Sequence, residues 1–197
     1  MTTDNVNASR RRFLIGATSV VGGAGAVGIA VPFVASWTPS AKAKAAGAPV
    51  KYNLGKVEPG AMVTVEWRGK PVYILRRTAE ILETVTESEG FLSDPNSERP
   101  QQPPYAKNEY RSIKEEYLII LGVCTHLGCA PKHKPEPGSV EFKDGWVGGF
   151  FCPCHGSKFD LAGRVYKGVP APSNLVVPPH QYLSDTVILI GDDGGAS

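Results

Sequence analysis

The chain has 197 residues, room for one ordinary domain and an appendage but not for two large domains. A net charge of +2 provides no global basic field of the kind a nucleic-acid partner needs. Gly (22) and Pro (17) are frequent but follow no period, which excludes collagen-like and low-complexity chains and suits a loop-rich β domain.

The first element is an arm, residues 1–12, ending in Ser9-Arg10-Arg11-Arg12 before Phe13-Leu14. Paired arginines ahead of an apolar run resemble the bacterial twin-arginine signal, an address read by a translocase that carries folded proteins. Phe13 to Ser36 are 24 consecutive residues without a charge. As a helix they would reach ~36 Å, more than a bilayer core of ~30 Å and longer than the h-region of a cleaved signal. Residues 13–36 are therefore read as a retained transmembrane anchor; cleavage at Ala41-Lys42-Ala43 is the alternative. Its glycines (16, 22, 23, 25, 28) allow close packing on partner helices, and Pro32 is expected to kink its outer end. Basic residues on the two sides nearly balance, so the twin-arginine address carries the orientation. It places the N-terminus in the cytoplasm and the bulk of the chain in the periplasm, as a single-pass protein of the bacterial inner membrane. Residues 37–49 have a linker composition and are expected to be a flexible hinge.

Residues 50–197 form the soluble domain. Strands are predicted over 62–67, 71–76, 117–121, 146–151 and 186–190, with a hairpin turn at Arg68-Gly69-Lys70. One amphipathic helix is predicted over 78–87, and 94–108 is too rich in Pro, Ser, Asn and Gln to be regular. The fold class is mainly β, an antiparallel domain with long loops. The insert 131–145 is expected to be a surface excursion, and His133 and His180 to be solvent-exposed rather than ligands.

All four cysteines fall late, at 124, 129, 152 and 154. Two tight pairs in one region mark a local site, although composition leaves both metal and disulfide open. They sit in Cys124-Thr125-His126-Leu127-Gly128-Cys129 and Cys152-Pro153-Cys154-His155-Gly156-Ser157, each with a thiol and an imidazole at close spacing. Two such loops facing one another offer a ligand set for two iron atoms.

These motifs resemble the Rieske family pattern C-x-H-x-G-C followed by C-x-C-H-G-S, most closely from about 117 to 175. The resemblance implies a Rieske-type β domain with a cluster-binding subdomain at about 118–175 and one [2Fe–2S] cluster. Cys124 and Cys152 would hold one iron, and His126 and His155 the other. Histidine ligation places such clusters at roughly −150 to +300 mV. It further implies a Cys129–Cys154 disulfide, which soluble Rieske ferredoxins and ring-dihydroxylating oxygenases lack and quinol-oxidising complexes have. Structural zinc on two Cys and two His, or disulfides alone, are the competing readings; neither motif has zinc-finger spacing.

By the same resemblance Ser157 would donate to a bridging sulfide and Leu127 would shield the cluster, core packing being its plainer role. Gly168 to Leu175 is similar to the proline-rich loop that covers the cluster. High-potential members carry a tyrosine two residues after that serine. Phe159 stands there instead, which predicts a lower potential than in tyrosine-bearing relatives. The implied function is electron transfer from ubiquinol to cytochrome c1 in a dimeric complex with cytochrome b, the iron–sulfur role of a bc1-type quinol–cytochrome c reductase. His155, aided by His126, would accept the quinol proton while the head swings about its hinge. An arsenite-oxidase-like small subunit, a b6f-type subunit, a soluble ferredoxin and a non-redox exported binding domain are the rivals. No hydrolytic, phosphate-binding or dinucleotide motif is present.

Overall fold

The computed structural model describes residues 7–140 and 146–196, which divide between residues 45 and 46 into two compact units.

The first unit is dominated by α1 (Ala8–Ala35), whose N-terminus is capped by Asn7 accepting from the Arg10 amide. It starts earlier than the predicted 13–36, because arginine is a good helix former and the triplet joins the helix. Every described residue of it is exposed, and it is the one helix among the described residues long and apolar enough to cross a membrane. The predicted hinge is not all coil: α2 (Ala41–Ala46) lies within it, its first turn held by Ser40 accepting from the Ala43 amide. Alternating Ala and Lys favour helix more strongly than the flanking prolines oppose it.

Among the described residues the second unit holds three antiparallel sheets of three strands. β1 (Val50–Asn53), β9 (Val187–Ile190) and β8 (His180–Tyr182) form one, in the order β1-β9-β8. β2 (Met62–Trp67), β3 (Lys70–Arg76) and β4 (Tyr117–Leu121) form the second, and β5 (Lys132–Lys134), β6 (Gly149–Phe151) and β7 (Lys158–Phe159) the third. The β2–β3 turn is the predicted one, with Arg68 at φ 53° and Gly69 at φ 69°, both left-handed as a tight hairpin demands.

The middle sheet explains the unbroken apolar runs of β3 and β4. Successive residues point to opposite faces, so Val72, Ile74, Tyr117 and Ile119 enter a core with Trp67, Leu54, Ile188 and Ile190. Tyr73, Leu75, Leu118 and Ile120 enter a second core with Phe150, Phe159, Cys124 and Cys152. A sheet covered on both sides needs hydrophobic residues at every position. α3 (Ala79–Glu87), capped by Thr78, buries Val85 in that second core.

Four expectations are corrected. The 146–151 strand begins only at Gly149, because Gly148 and Gly149 adopt φ of 111° and 153°. The insert is not wholly an excursion: its first residues are β5, paired with β6; residues 141–145 lie outside the described ones. His133 is half-buried with its ring 5.5 Å from that of Phe150, and His180 is buried. Leu127 is 70% exposed, so the role set aside for it is the plainer one, core packing.

Candidate metal centre

The two cysteine motifs fold into loops of one design. In the first, the Cys124 amide donates to the Cys129 carbonyl at 2.8 Å and the Gly128 amide to the Cys124 carbonyl at 2.9 Å. In the second, the Cys152 amide donates to the Ser157 carbonyl at 2.8 Å and the Gly156 amide to the Cys152 carbonyl at 3.0 Å. Each is six residues, cysteine first and glycine fifth. Those glycines, at φ 84° and 77°, take the left-handed conformation that lets the chain double back. The cysteine side chains at the loop starts are consequently buried, and the imidazoles at the turns are not.

The loops bring together the residues singled out in the sequence. The rings of His126 and His155 lie edge to face, 4.8 Å between centroids. The Cys124 thiol interacts with the thiol of Cys152, the hydroxyl of Ser157 and the amide of His126. Cys129 and Cys154 form a disulfide joining the two loops. The sulfurs of Cys129, Cys152 and Cys154 also lie within 4.8 Å of one another, but two of them are spent in that disulfide and offer no thiolate.

The donor set fits an iron–sulfur cluster. Burial pushes the Cys124 thiol up from its ordinary value, with no described cation beside it to favour the thiolate. Burial thus keeps the free thiols neutral, and ligation to a metal is what would let two thiolates stand side by side there.

Several residues that hold this site carried no signal in the sequence. The Thr125 hydroxyl donates to the Ser173 carbonyl at 2.6 Å and the Ala171 amide donates to the Ser157 hydroxyl at 3.0 Å, so each ligand loop grips the 168–175 segment once. Asn174 donates to the Asp94 carbonyl and the Ser97 hydroxyl and accepts from the Val165 amide. Arg111, fully buried, donates to the carbonyls of Ala162, Gly163 and Leu175. Burial lowers its pKa to about 10, still charged at neutral pH. Beside it Arg164 and Asp160 form a buried ion pair at 2.8 Å, which the Ser88 hydroxyl joins. The irregular segment 94–112 therefore serves as a brace behind residues 168–175.

Comparison with known proteins agrees with this geometry. A family model described as "Rieske [2Fe-2S] domain" matches residues 98–179, and one described as "Ubiquitinol-cytochrome C reductase Fe-S subunit TAT signal" matches residues 1–40. The "Ubiquinol-cytochrome c reductase iron-sulfur subunit" of Allochromatium vinosum is 57% identical over all of this chain and 95% of its own length. The chain belongs to the Rieske iron–sulfur subunits of ubiquinol–cytochrome c reductase. The Blastochloris viridis subunit of that name is 42% identical over 96% of each chain. A solved chain from "Hyperthermophilic respiratory Complex III" superposes at TM-score 0.46 with 26% identity, over 89% of this chain and 98% of that one; so loose a superposition bears no weight. As a Rieske subunit the chain is a [2Fe–2S] protein of an oxidoreductase complex, and its N-terminal signal and apolar helix suit a membrane-anchored subunit.

Proposed function

We propose that this chain carries electrons singly from ubiquinol to cytochrome c1, as the iron–sulfur subunit of a dimeric complex with cytochrome b. The observation that supports it most is the pair of imidazoles set edge to face, carried by the same two loops as the two buried thiols. Cys124 and Cys152 would hold one iron, and His126 and His155 the other. When bound, the cluster supplies a one-electron carrier of high potential.

The residues of the chain do the rest. His155, exposed in its loop, accepts a hydrogen bond from the quinol hydroxyl and takes its proton, with the ring of His126 set edge to face against it. Leu127 offers the quinol an apolar contact and keeps water from the imidazoles. Ser157 and the cover loop set the polarity around the sulfurs. Residues 1–12 remain cytoplasmic, 13–36 span the inner membrane and 50–197 lie in the periplasm, with 118–175 as the cluster-binding subdomain. Residues 37–49 are the hinge about which the head moves between donor and acceptor.

A redox titration of the protein in membranes, read by low-temperature EPR at several pH values, tests this. A Rieske signal whose high potential falls at alkaline pH is expected. A low, pH-independent potential would indicate a ferredoxin-like carrier, and no signal at all would sink the reading.

A further inference from the structure

The sheet that carries the second ligand loop has two unlike faces. Lys132 pairs with Phe151 and Phe151 with Lys158, so these three side chains share one face; His133, Phe150 and Phe159 share the other. The inner face is core, with Phe150 and Phe159 fully buried. The outer face presents Lys132, Lys134 two residues on, and Lys158, around the half-buried ring of Phe151. Lys158 is fixed there: its ammonium donates to the Gly156 carbonyl at 3.3 Å and lies 5.8 Å from the Phe151 ring centroid. Gly156 follows His155, so this positive charge stands at the shoulder of the second ligand loop. β5 leaves the first loop just after Cys129, and β6 runs directly into Cys152.

This face differs from the rest of the head. Residues 50–197 carry 16 Lys and Arg against 18 Asp and Glu, a net −2. Residues 118–175 carry 6 against 4, so the cluster lobe is +2 and the remainder of the head −4. One pair of those charges, Arg164 with Asp160, cancels in the interior. The positive excess of the head thus falls in the stretch of sequence that carries both ligand loops.

We propose that the outer face of β5–β6–β7 docks an acidic patch on the protein that takes the electron from this head. The inference rests on the electron-carrier reading above and adds the chemistry of the partner surface. Lysines on one face of a sheet around an aromatic ring suit a protein surface with carboxylates about an apolar centre, and opposite charges steer the two together.

The test uses membranes bearing the assembled complex. Reduction of the c-type haem by the pre-reduced head is followed by rapid mixing across a range of ionic strength, for the wild type and for K132E/K134E/K158E. The wild-type rate should fall as salt rises; the variant should be about tenfold slower at low salt and nearly insensitive to it, with the EPR signal and potential unchanged. K132E/K134E, which spares the residue bonded to Gly156, should move in the same direction, so damage at the second loop cannot imitate the result. Identical rates and salt profiles in all three would overturn the proposal. So would unchanged kinetics together with lost retention on vesicles of anionic phospholipid, which would make the face a lipid contact. Failure of the wild type to reduce haem, or the lack of any Rieske signal, would instead count against the electron-carrier reading itself.

Discussion

The Thr125 hydroxyl donates to the Ser173 carbonyl at 2.6 Å, tying the first ligand loop to residues 168–175. Ser173 is buried, so its carbonyl has little recourse to water if that bond is lost. Thr125→Val keeps the side-chain volume and should cost about 1–2 kcal/mol. Hydrogen exchange should quicken in residues 168–175 ahead of the remaining head. Unaltered exchange there would show that the other tethers, at Ser157, Asn174 and Arg111, hold the segment without Thr125.

Gly122 has no side chain because the ring of Tyr73 occupies the space. A Cβ at 122 would meet three ring atoms of Tyr73 well inside contact distance. The ring cannot retreat easily: its hydroxyl donates to the Pro131 carbonyl at 2.9 Å and its face stacks on Phe150. Gly122→Ala should therefore destabilise the head by about 2–3 kcal/mol. Tyr73→Phe, which removes only the hydroxyl, should cost about 1 kcal/mol. Thermal unfolding of the full chain in detergent ranks the two, and the reverse order would contradict this packing.

His180 links stability to pH. Burial lowers its pKa below the ordinary value near 6.5, against smaller opposing contributions from the Pro178 carbonyl and the Asp193 carboxylate. The unfolded chain then binds more protons between the two pKa values. The contribution of neutral His180 is complete above about pH 6.5 and is lost as pH falls toward the folded value. His133 shifts in the same direction through burial. Melting temperatures at pH 7.5 and 5 should differ less for His180→Gln than for the wild type; an equal difference would assign the pH dependence to other groups.

Phe159 is buried in the same core as Cys124 and Cys152. Phe159→Tyr adds a hydroxyl that, within reach of a ligand sulfur, favours the more negative reduced state. The midpoint potential should rise by roughly 50 mV, the equivalent of a little over 1 kcal/mol for one electron. A hydroxyl that finds no acceptor would lower the melting temperature and leave the potential where it was.

What could be read from the sequence follows the physics of each element. β2 and β3 alternate or run apolar around Arg68-Gly69, and both ligand motifs declare themselves by residue type and spacing. β5 could not be read, because Lys-His-Lys has no apolar residue and one of its faces is charged. The two residues of β7 are too few to show a period. The burial of His180 depends on the edge-to-face contact with Tyr105, far away in the chain, and on the Pro178 carbonyl, which binds Nδ1 at 2.8 Å. Thr125, Asn174 and Arg111 act through backbone groups of distant residues, and such partners leave no trace in local composition.

β1, where the head begins, pairs with β9, its final strand among the described residues, in a ladder from Val50–Ile190 to Asn53–Val187. A ribosome delivers Val50 long before Ile190, so this sheet cannot close until Ile190 has emerged. The export signal precedes the head in the chain, whereas the head has a complete fold only once β9 has been made. A route that accepts only folded cargo would thus reject a truncated chain at the base of the head, whatever the state of its ligand loops.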